Sequence, residues 1–89
     1  MAKVKFLPPL SQKTTKESIE IEADTLLKLC LLLMEKFELP SNLFFNAEGT
    51  LCKDIVILIN RRNAHTLEGL ETKLHQETEV LLMRYFVGG

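Results

Sequence analysis

The amino-acid sequence predicts a two-layer α+β domain in which a mixed sheet of four to five strands packs on one main helix. Three observations support this prediction. Polar and apolar residues alternate over 3–7 and 17–22, as they do in half-buried strands. Apolar residues recur at helical spacing over 25–37, and apolar runs typical of strands follow at 55–59 and 79–86. A helix beside several strands is most simply arranged as two packed layers.

The first two strands are predicted to form an antiparallel pair. A Pro-Pro dipeptide ends the first strand, because proline lacks a backbone N–H. Residues 10–16 are largely polar, and they predict a loop between the two strands. In the second strand Ile19 and Ile21 lie on one face and charged residues lie on the other.

The main helix is predicted to begin after Asp24, whose carboxylate is placed to cap the free amides of the first turn. Pro40 is predicted to end the helical region. The buried stripe of the helix is expected to contain Leu26, Leu29, Cys30, Leu33, Met34 and Phe37, widened by Leu27 and Leu31. Only Leu32 strays from this apolar side, and the charged residues Lys28, Glu35 and Lys36 lie opposite it.

Residues 38–54 predict a long irregular connection that is anchored on the core by Phe44 and Phe45 and contains a turn at 46–49. Residues 55–59 are apolar at every position, which indicates a strand that is central or covered on both faces. The remaining predicted elements, in chain order, are a tight turn at 60–63, a short return strand at 64–66, a short helical or turn segment at 67–74 and the last strand at 79–86.

The composition is that of an ordinary globular chain of 89 residues, with 46% hydrophobic and 26% charged residues. Its 11 Lys and Arg and 12 Asp and Glu leave a net charge of -1, whereas a protein that neutralises phosphates is expected to be basic. No stretch reaches the roughly 18 to 20 consecutive apolar residues that span a bilayer, and the N-terminal residues do not resemble a signal peptide. We therefore expect a cytoplasmic monomer that binds neither nucleic acid nor membrane.

Motifs of enzyme active sites are absent from the sequence, which has no phosphate-binding Gly-rich loop, GxSxG, HExxH or CxxC. His65 and His75 have no acidic or cysteine neighbours at ligand spacing. Cys30 and Cys52 are expected to be structural thiols, and a bridge between them stays open as an alternative. We predict no catalytic residue, no metal site and no bound cofactor.

The residues that carry chemistry are Gly88 and Gly89, which end the sequence directly after the last strand. Glycine has no Cβ, so a diglycine tail is thin enough to enter a narrow channel and present a terminal carboxylate. A carboxylate becomes a good acyl donor once it forms a mixed anhydride with AMP, and a thiol, a sulfide or an amine can then attack the carbonyl. An inert, frayed terminus explains the two glycines equally well on composition alone.

The strand–strand–helix–strand–strand order followed by Gly-Gly resembles the ubiquitin-like β-grasp fold. More specifically, the chain is similar to the MoaD and ThiS sulfur carriers and the small archaeal ubiquitin-like modifier proteins. This resemblance extends over essentially the whole chain, as a domain at 1–87 with a flexible tail at 88–89. The segments that carry it are Val4-Lys5-Phe6, Ile19-Glu20-Ile21, Asp24-Thr25-Leu26, Val56-Ile57-Leu58-Ile59-Asn60, Leu67-Glu68-Gly69-Leu70-Glu71-Thr72-Lys73-Leu74 and Glu79-Val80.

Three segments depart from the pattern of this family. Asn60-Arg61-Arg62 stands where the family often has Asn-Gly-Arg, and Gln76-Glu77-Thr78 stands where it has an Asp-Gly turn. Residues 84–87 replace a tail that commonly carries a proline and a small residue before the glycines. These departures argue against a molybdopterin-specific role and leave the modifier interpretation intact.

The resemblance implies that a separate, ubiquitin-activating-like enzyme adenylates Gly89 with ATP. The activated chain is then joined to target lysines by isopeptide bonds, or converted to a thiocarboxylate for a sulfur-accepting synthase subunit. The chain is thus expected to be a co-substrate and not an enzyme, and ATP is used only by its partner. The alternatives are a MoaD-type small subunit of molybdopterin synthase, a sulfur carrier for thiamine or tRNA, and a β-grasp interaction module with an inert tail.

The last strand also predicts a docking surface beside the tail. Strand alternation places Val80, Leu82 and Phe86 on one face and Leu81, Met83, Tyr85 and Val87 on the other. Only one face is needed to pack on the helix, and a large exposed apolar patch marks a binding site. The predicted partner-binding residues are Leu81, Met83, Tyr85, Phe86 and Val87. The alternative is that the connection at 38–54 covers this face.

Overall fold

The computed structural model describes residues 1–8, 10, 14 and 17–84. The helix and strands of this part of the chain are β1 (Ala2–Phe6), β2 (Ser18–Ile21), α1 (Leu26–Phe37), β3 (Ile55–Ile59), β4 (Arg62–Asn63) and β5 (Glu79–Arg84). Short 3-10 helices lie at Ser41–Leu43, Ala64–Thr66 and Gly69–Glu71. No helix among the described residues has the length and apolarity that a membrane span requires.

The described strands form a five-stranded mixed sheet in the order β2-β1-β5-β3-β4. β1 and β2 pair antiparallel, as predicted, with Val4 opposite Ile19. β5 inserts between β1 and β3, parallel to the first and antiparallel to the second. The sheet thus unites the two ends of the described chain, and β5 becomes its central strand.

The N-terminus of α1 differs from the prediction by one residue. Thr25, and not Asp24, is the N-cap, because its extended backbone lets its side chain accept from the backbone N–H of Lys28 at 3.3 Å. Asp24 is exposed, and its carbonyl accepts from the N–H of Leu74 at 2.8 Å. The helix ends at Phe37, because Glu38 adopts a left-handed conformation (φ 54°) and its backbone N–H donates to the carbonyl oxygen of Met34. Pro40 therefore follows a helix that has already ended.

The hydrophobic core lies between α1 and one face of the sheet. The predicted stripe residues Leu26, Leu29, Cys30 and Leu33 are fully buried. Leu27 and Leu31 do not widen this stripe, since they are 41% and 46% exposed on the outer side of the helix. Their position around the helix axis decides this outcome, because only one side of α1 faces the sheet.

The segment predicted as a loop at 10–16 contributes to the core. Leu10 and Thr14 are helical and fully buried, so this prediction is wrong at both positions. Residues 11–13 and 15–16 of the same segment lie outside the described residues.

The connection at 38–54 is irregular and packs on the core, as predicted, through Leu43, Phe44 and Leu51. Its turn is held by Asn46, whose Oδ1 accepts from the N–H groups of Glu48 and Thr50, both at 3.0 Å. The predicted return strand at 64–66 is instead a 3-10 helix, and the return strand is β4. This difference arises because the turn is two residues tighter than the sequence suggested.

Candidate functional site

The two faces of β5 have different surroundings. Val80 and Leu82 are buried against the core, which confirms the predicted inward face of this strand. Leu81 and Met83 alternate with them and are half-buried on the opposite face of the sheet, which α1 does not cover. Because β5 is the central strand, these two side chains lie in the middle of that face.

Cross-strand pairing extends Leu81 and Met83 into a larger apolar surface. Leu81 lies opposite Leu58 of β3, and Met83 lies opposite Val56. Side chains directly opposite each other in an antiparallel pair have Cβ atoms about 5 Å apart. We name this half-buried group, made of Val56, Leu58, Leu81 and Met83, the sheet patch.

β3 is predicted to be central in the sheet or covered on both faces, and the structure shows the first of these alternatives, an interior strand with one face left uncovered by the described residues. Ile55, Ile57 and Ile59 are buried in the core, whereas Val56 and Leu58 remain half-buried on the outer face. The strand is nevertheless interior in the sheet, with β5 on one side and β4 on the other. The outer side chains of this apolar strand are therefore left half-buried, although the strand lies inside the sheet.

A cavity of about 320 Å³ lies at one end of the sheet patch, over Leu58 and Leu81. Its charged lining consists of Lys3, Lys5, Arg61 and Glu79. No residue of the connection at 38–54 is among the described residues that line it. Three basic groups against one acidic group give this end of the surface a positive charge.

The turn between β3 and β4 places Arg61 at this cavity. Asn60 and Arg61 both have positive φ, at 50° and 71°, as the tightest two-residue hairpins require. Asn60 tolerates this conformation, and its Oδ1 also accepts from the N–H of Glu79 at 2.9 Å. The turn is thereby tied to the start of β5.

The described chain ends at Arg84, at the far end of β5. The Arg84 guanidinium lies 3.5 Å from the Asp54 carboxylate, at the position where β3 begins. Arg84 is largely covered, with 16% of its side chain exposed, while that of Asp54 is 60% exposed. The predicted site residues Tyr85, Phe86, Val87, Gly88 and Gly89 lie outside the described residues.

The histidines and cysteines of the described chain occupy structural positions. His65 is exposed, with Nε2 3.3 Å from the carbonyl oxygen of Ile55, and the backbone N–H of His75 donates to Thr78. Cys30 and Cys52 are free thiols, and burial raises the pKa of Cys30 to about 12. Within the described part of the chain, no group of three His, Cys, Asp or Glu side chains is placed to hold a metal ion.

The sequence predicted Leu81 and Met83 as partner-binding residues, and the structure places both on the outer face of the sheet, beside residues that the sequence did not single out. These are Val56, Leu58, Lys3, Lys5 and Arg61. The alternation of β1 does place both lysines on its outer face. The residues beside Leu81 and Met83 could not be predicted, because a sequence does not state which strands pair with β5.

The chain is similar to several solved structures over its whole length. It superimposes on the small archaeal modifier protein 1 of Methanosarcina acetivorans with a TM-score of 0.83 and 29% identity, covering 99% of this chain and 95% of that one. For a chain of the Amycolatopsis orientalis BexX/CysO complex the TM-score is 0.85 at 18% identity, with 100% of both chains covered. For Urm1 of Trypanosoma brucei it is 0.78 at 20% identity, covering 99% and 94%. No protein-family model and no curated protein sequence matches the chain.

These comparisons and the sheet topology confirm the predicted fold. The mixed five-stranded sheet on a main helix is the ubiquitin-like β-grasp arrangement. The resemblance to small archaeal modifier proteins is confirmed as well, at 29% identity over nearly the whole chain.

Proposed function

We propose that this chain, which has the ubiquitin-like β-grasp fold and resembles the small archaeal modifiers and sulfur carriers, acts through the carboxylate of Gly89 as a protein modifier and sulfur carrier. The observation that carries the proposal is the whole-length similarity to a small archaeal modifier protein, at 29% identity. The Gly88-Gly89 dipeptide at the end of the sequence supports it. The chain would be a co-substrate of a separate activating enzyme, which uses the ATP.

The proposed chemistry begins with the Gly89 carboxylate. One carboxylate oxygen attacks the α-phosphorus of ATP, an acyl adenylate forms and pyrophosphate leaves. In conjugation, the neutral amine of a target lysine attacks the carbonyl, AMP leaves and the nitrogen loses a proton to give an isopeptide bond. In sulfur transfer, hydrosulfide attacks the same carbonyl, AMP leaves and a thiocarboxylate remains. The two routes diverge only at the nucleophile.

The sheet patch is proposed as the surface on which the activating enzyme docks. Five residues follow Arg84, and an extended chain of five residues spans at most about 17 Å. If the enzyme binds over Leu81 and Met83, the C-terminal residues therefore lie close to the enzyme surface that contacts the sheet patch. The remaining predicted contacts, Tyr85, Phe86 and Val87, lie along this path in the sequence. The basic residues Lys3, Lys5 and Arg61 favour an enzyme surface that is acidic around an apolar centre.

The first experiment compares an epitope-tagged chain with a version lacking Gly88 and Gly89 in the native host. Denaturing, reducing blots are combined with the intact mass of the free protein. We expect heavier species that resist thiols and disappear with the truncation, because isopeptide bonds withstand reduction. A free band with one terminal oxygen replaced by sulfur would instead identify a dedicated sulfur carrier. Identical behaviour of both versions, with neither product, would indicate an inert tail and contradict the proposal.

The docking step is tested separately in vitro with the activating enzyme and ATP–pyrophosphate exchange. Leu81→Arg places a charge in the centre of the sheet patch, and we expect the KM for this chain to rise by about tenfold or more. Lys36→Ala, on the exposed side of α1, is the matched control and should leave KM unchanged. Equal KM values for Leu81→Arg and the unaltered protein would exclude the sheet patch as the docking surface.

A further inference from the structure

A second concave surface lies on the helix side of the molecule. The N-terminal turn of α1, the turn around Gly49 and the 3-10 helix Gly69–Glu71 enclose a cleft of about 530 Å³. Leu27, Leu51 and Leu70 supply its apolar lining. We name this cleft the helix-side groove. It is separated from the sheet patch by the sheet and the core.

The apolar surface of the groove continues along the outside of α1. Leu27 and Leu31 are 41% and 46% exposed, and they lie one helical turn apart on the same side. Apart from Met1, they are the exposed large hydrophobic residues of the described chain. A Cβ added at Gly49 or Gly69 would meet no atom within 4 Å, so the cleft is open beside both glycines.

The charge of the groove is opposite to that of the sheet patch. Glu68 and Glu71 line it together with His65, and the described lining contains neither lysine nor arginine. Both glutamates are exposed at its rim. By contrast, three basic residues surround the cavity over Leu81. Partners with opposite charge are therefore directed to opposite faces of one small domain.

From this geometry we propose that the helix-side groove binds a short basic and aliphatic segment of a second partner protein. The aliphatic side chains of that segment occupy the cleft between Leu27 and Leu70, and its lysines or arginines pair with Glu68 and Glu71. Helices with exposed i, i+4 apolar pairs are used in this way at other interfaces. Because the groove lies away from β5, this segment can bind while the sheet patch is occupied.

The groove also gives a role to the segment Leu67-Glu68-Gly69-Leu70-Glu71, which the tail chemistry does not use. Gly69 has φ 57°, and the N–H of Glu68 donates to the Thr72 hydroxyl at 3.1 Å. These features fix the local backbone and hold Glu68 and Glu71 on either side of Leu70. The acidic rim is thus part of a turn that is held by a side-chain hydrogen bond.

The test uses NMR titration of the isotopically labelled full chain with two synthetic peptides of equal length. One alternates leucine with lysine, and the other alternates leucine with glutamate. We expect the lysine peptide to shift the backbone amides of Leu27, Gly49, Gly69 and Leu70 in a saturable manner. The glutamate peptide should leave these amides unshifted.

The matched variants are the double substitution E68K/E71K and the single substitution E79K, which lies at the other face. E68K/E71K should raise the Kd for the lysine peptide by about tenfold or more, since two attractive charges become repulsive. E79K should leave that Kd unchanged. Amide dispersion in the free variants establishes that each is folded.

Three results would overturn the inference. These are lysine-peptide shifts centred on Leu58 and Leu81, shifts that do not saturate, and a Kd that E68K/E71K leaves unaltered. Concentration-dependent shifts of the same helix-side amides without any peptide would assign the groove to a second copy of the chain, and would also contradict it. None of these readouts depends on activation of the tail, so they stand apart from the test of the proposed function.

Discussion

At the scale of single residues, the unusual feature is the use of bulky side chains where the backbone favours glycine. Glu38, Asn60, Arg61 and Glu77 all have positive φ. For residues with a Cβ this conformation costs about 1–2 kcal/mol, and asparagine tolerates it best. Arg61 and Glu77 are also positions where the sequence departs from the glycine turns of the family pattern that it resembles.

Glu77→Gly should therefore stabilise the domain. Glu77 is exposed and has φ 64°, and its backbone N–H, which donates to the carbonyl of Met1 at 3.2 Å, is retained in the variant. We expect the free energy of unfolding to rise by about 0.5–1 kcal/mol in urea titrations. The control is Gln76→Gly, at a neighbouring position without positive φ, which should be neutral or destabilising. A lower stability for Glu77→Gly than for Gln76→Gly would show that position 77 is not strained.

The buried thiol of Cys30 predicts a loss of stability at high pH. Burial raises its pKa from 9.0 to about 12, so between these values the unfolded chain releases a proton that the folded chain keeps. The free energy of unfolding is therefore unaffected by this thiol below pH 9. As the pH rises from 9 towards 12, the free energy of unfolding falls by up to about 1.4 kcal/mol per pH unit. Urea titrations at pH 8 and pH 10.5 of the protein and of Cys30→Ala measure it. Equal pH dependence in both proteins would contradict the prediction.

At the scale of elements, the main helix and four of the strands (β1, β2, β3 and β5) follow from the sequence pattern to within a few residues. The helix boundaries depend on details that periodicity does not contain. Asp24 and Thr25 are both good N-cap residues, and only the backbone conformation selects between them. Thr25 is extended and its backbone also forms an isolated antiparallel β-bridge with Lys73. This pairing fixes the start of the helix against the segment before β5.

Thr25→Ala should destabilise the domain by about 1 kcal/mol, because the N–H of Lys28 loses its acceptor. Asp24→Ala removes only an exposed side chain, since the contact of Asp24 with Leu74 uses its backbone carbonyl. Thermal unfolding followed by circular dichroism compares the two variants. The reverse order of stabilities would make Asp24 the cap, as periodicity alone had indicated.

At the scale of the whole molecule, one sheet joins distant parts of the chain and separates a cavity with a basic lining from a groove with an acidic lining. β1 lies between β2 and β5, so removing it would expose an edge of each. Ala2, Val4 and Phe6 of β1 are buried, and the ring of Phe6 packs edge-on against Phe37 of the helix at 5.7 Å. The first strand therefore connects both layers of the fold.

Deletion of residues 1–6 should abolish cooperative unfolding, because a small domain has little stability to lose and β1 supplies three core residues. Differential scanning calorimetry should record no unfolding transition. The matched control lacks Gly88 and Gly89 and should melt like the intact protein. A cooperative transition in the chain without β1 would mean that β2 and β5 can pair without it.

The sequence by itself determined the main helix, four of the five strands, the inward position of Val80 and Leu82 and the family resemblance, because these depend on local periodicity and on motifs a few residues long. It also pointed to Leu81 and Met83 as surface residues beside the tail. Tertiary structure alone decided that Val56, Leu58, Lys3, Lys5 and Arg61 join them, because strand pairing brings together residues far apart in the chain. It also decided that Leu27 and Leu31 face solvent, since a helix buries only the side that meets the sheet.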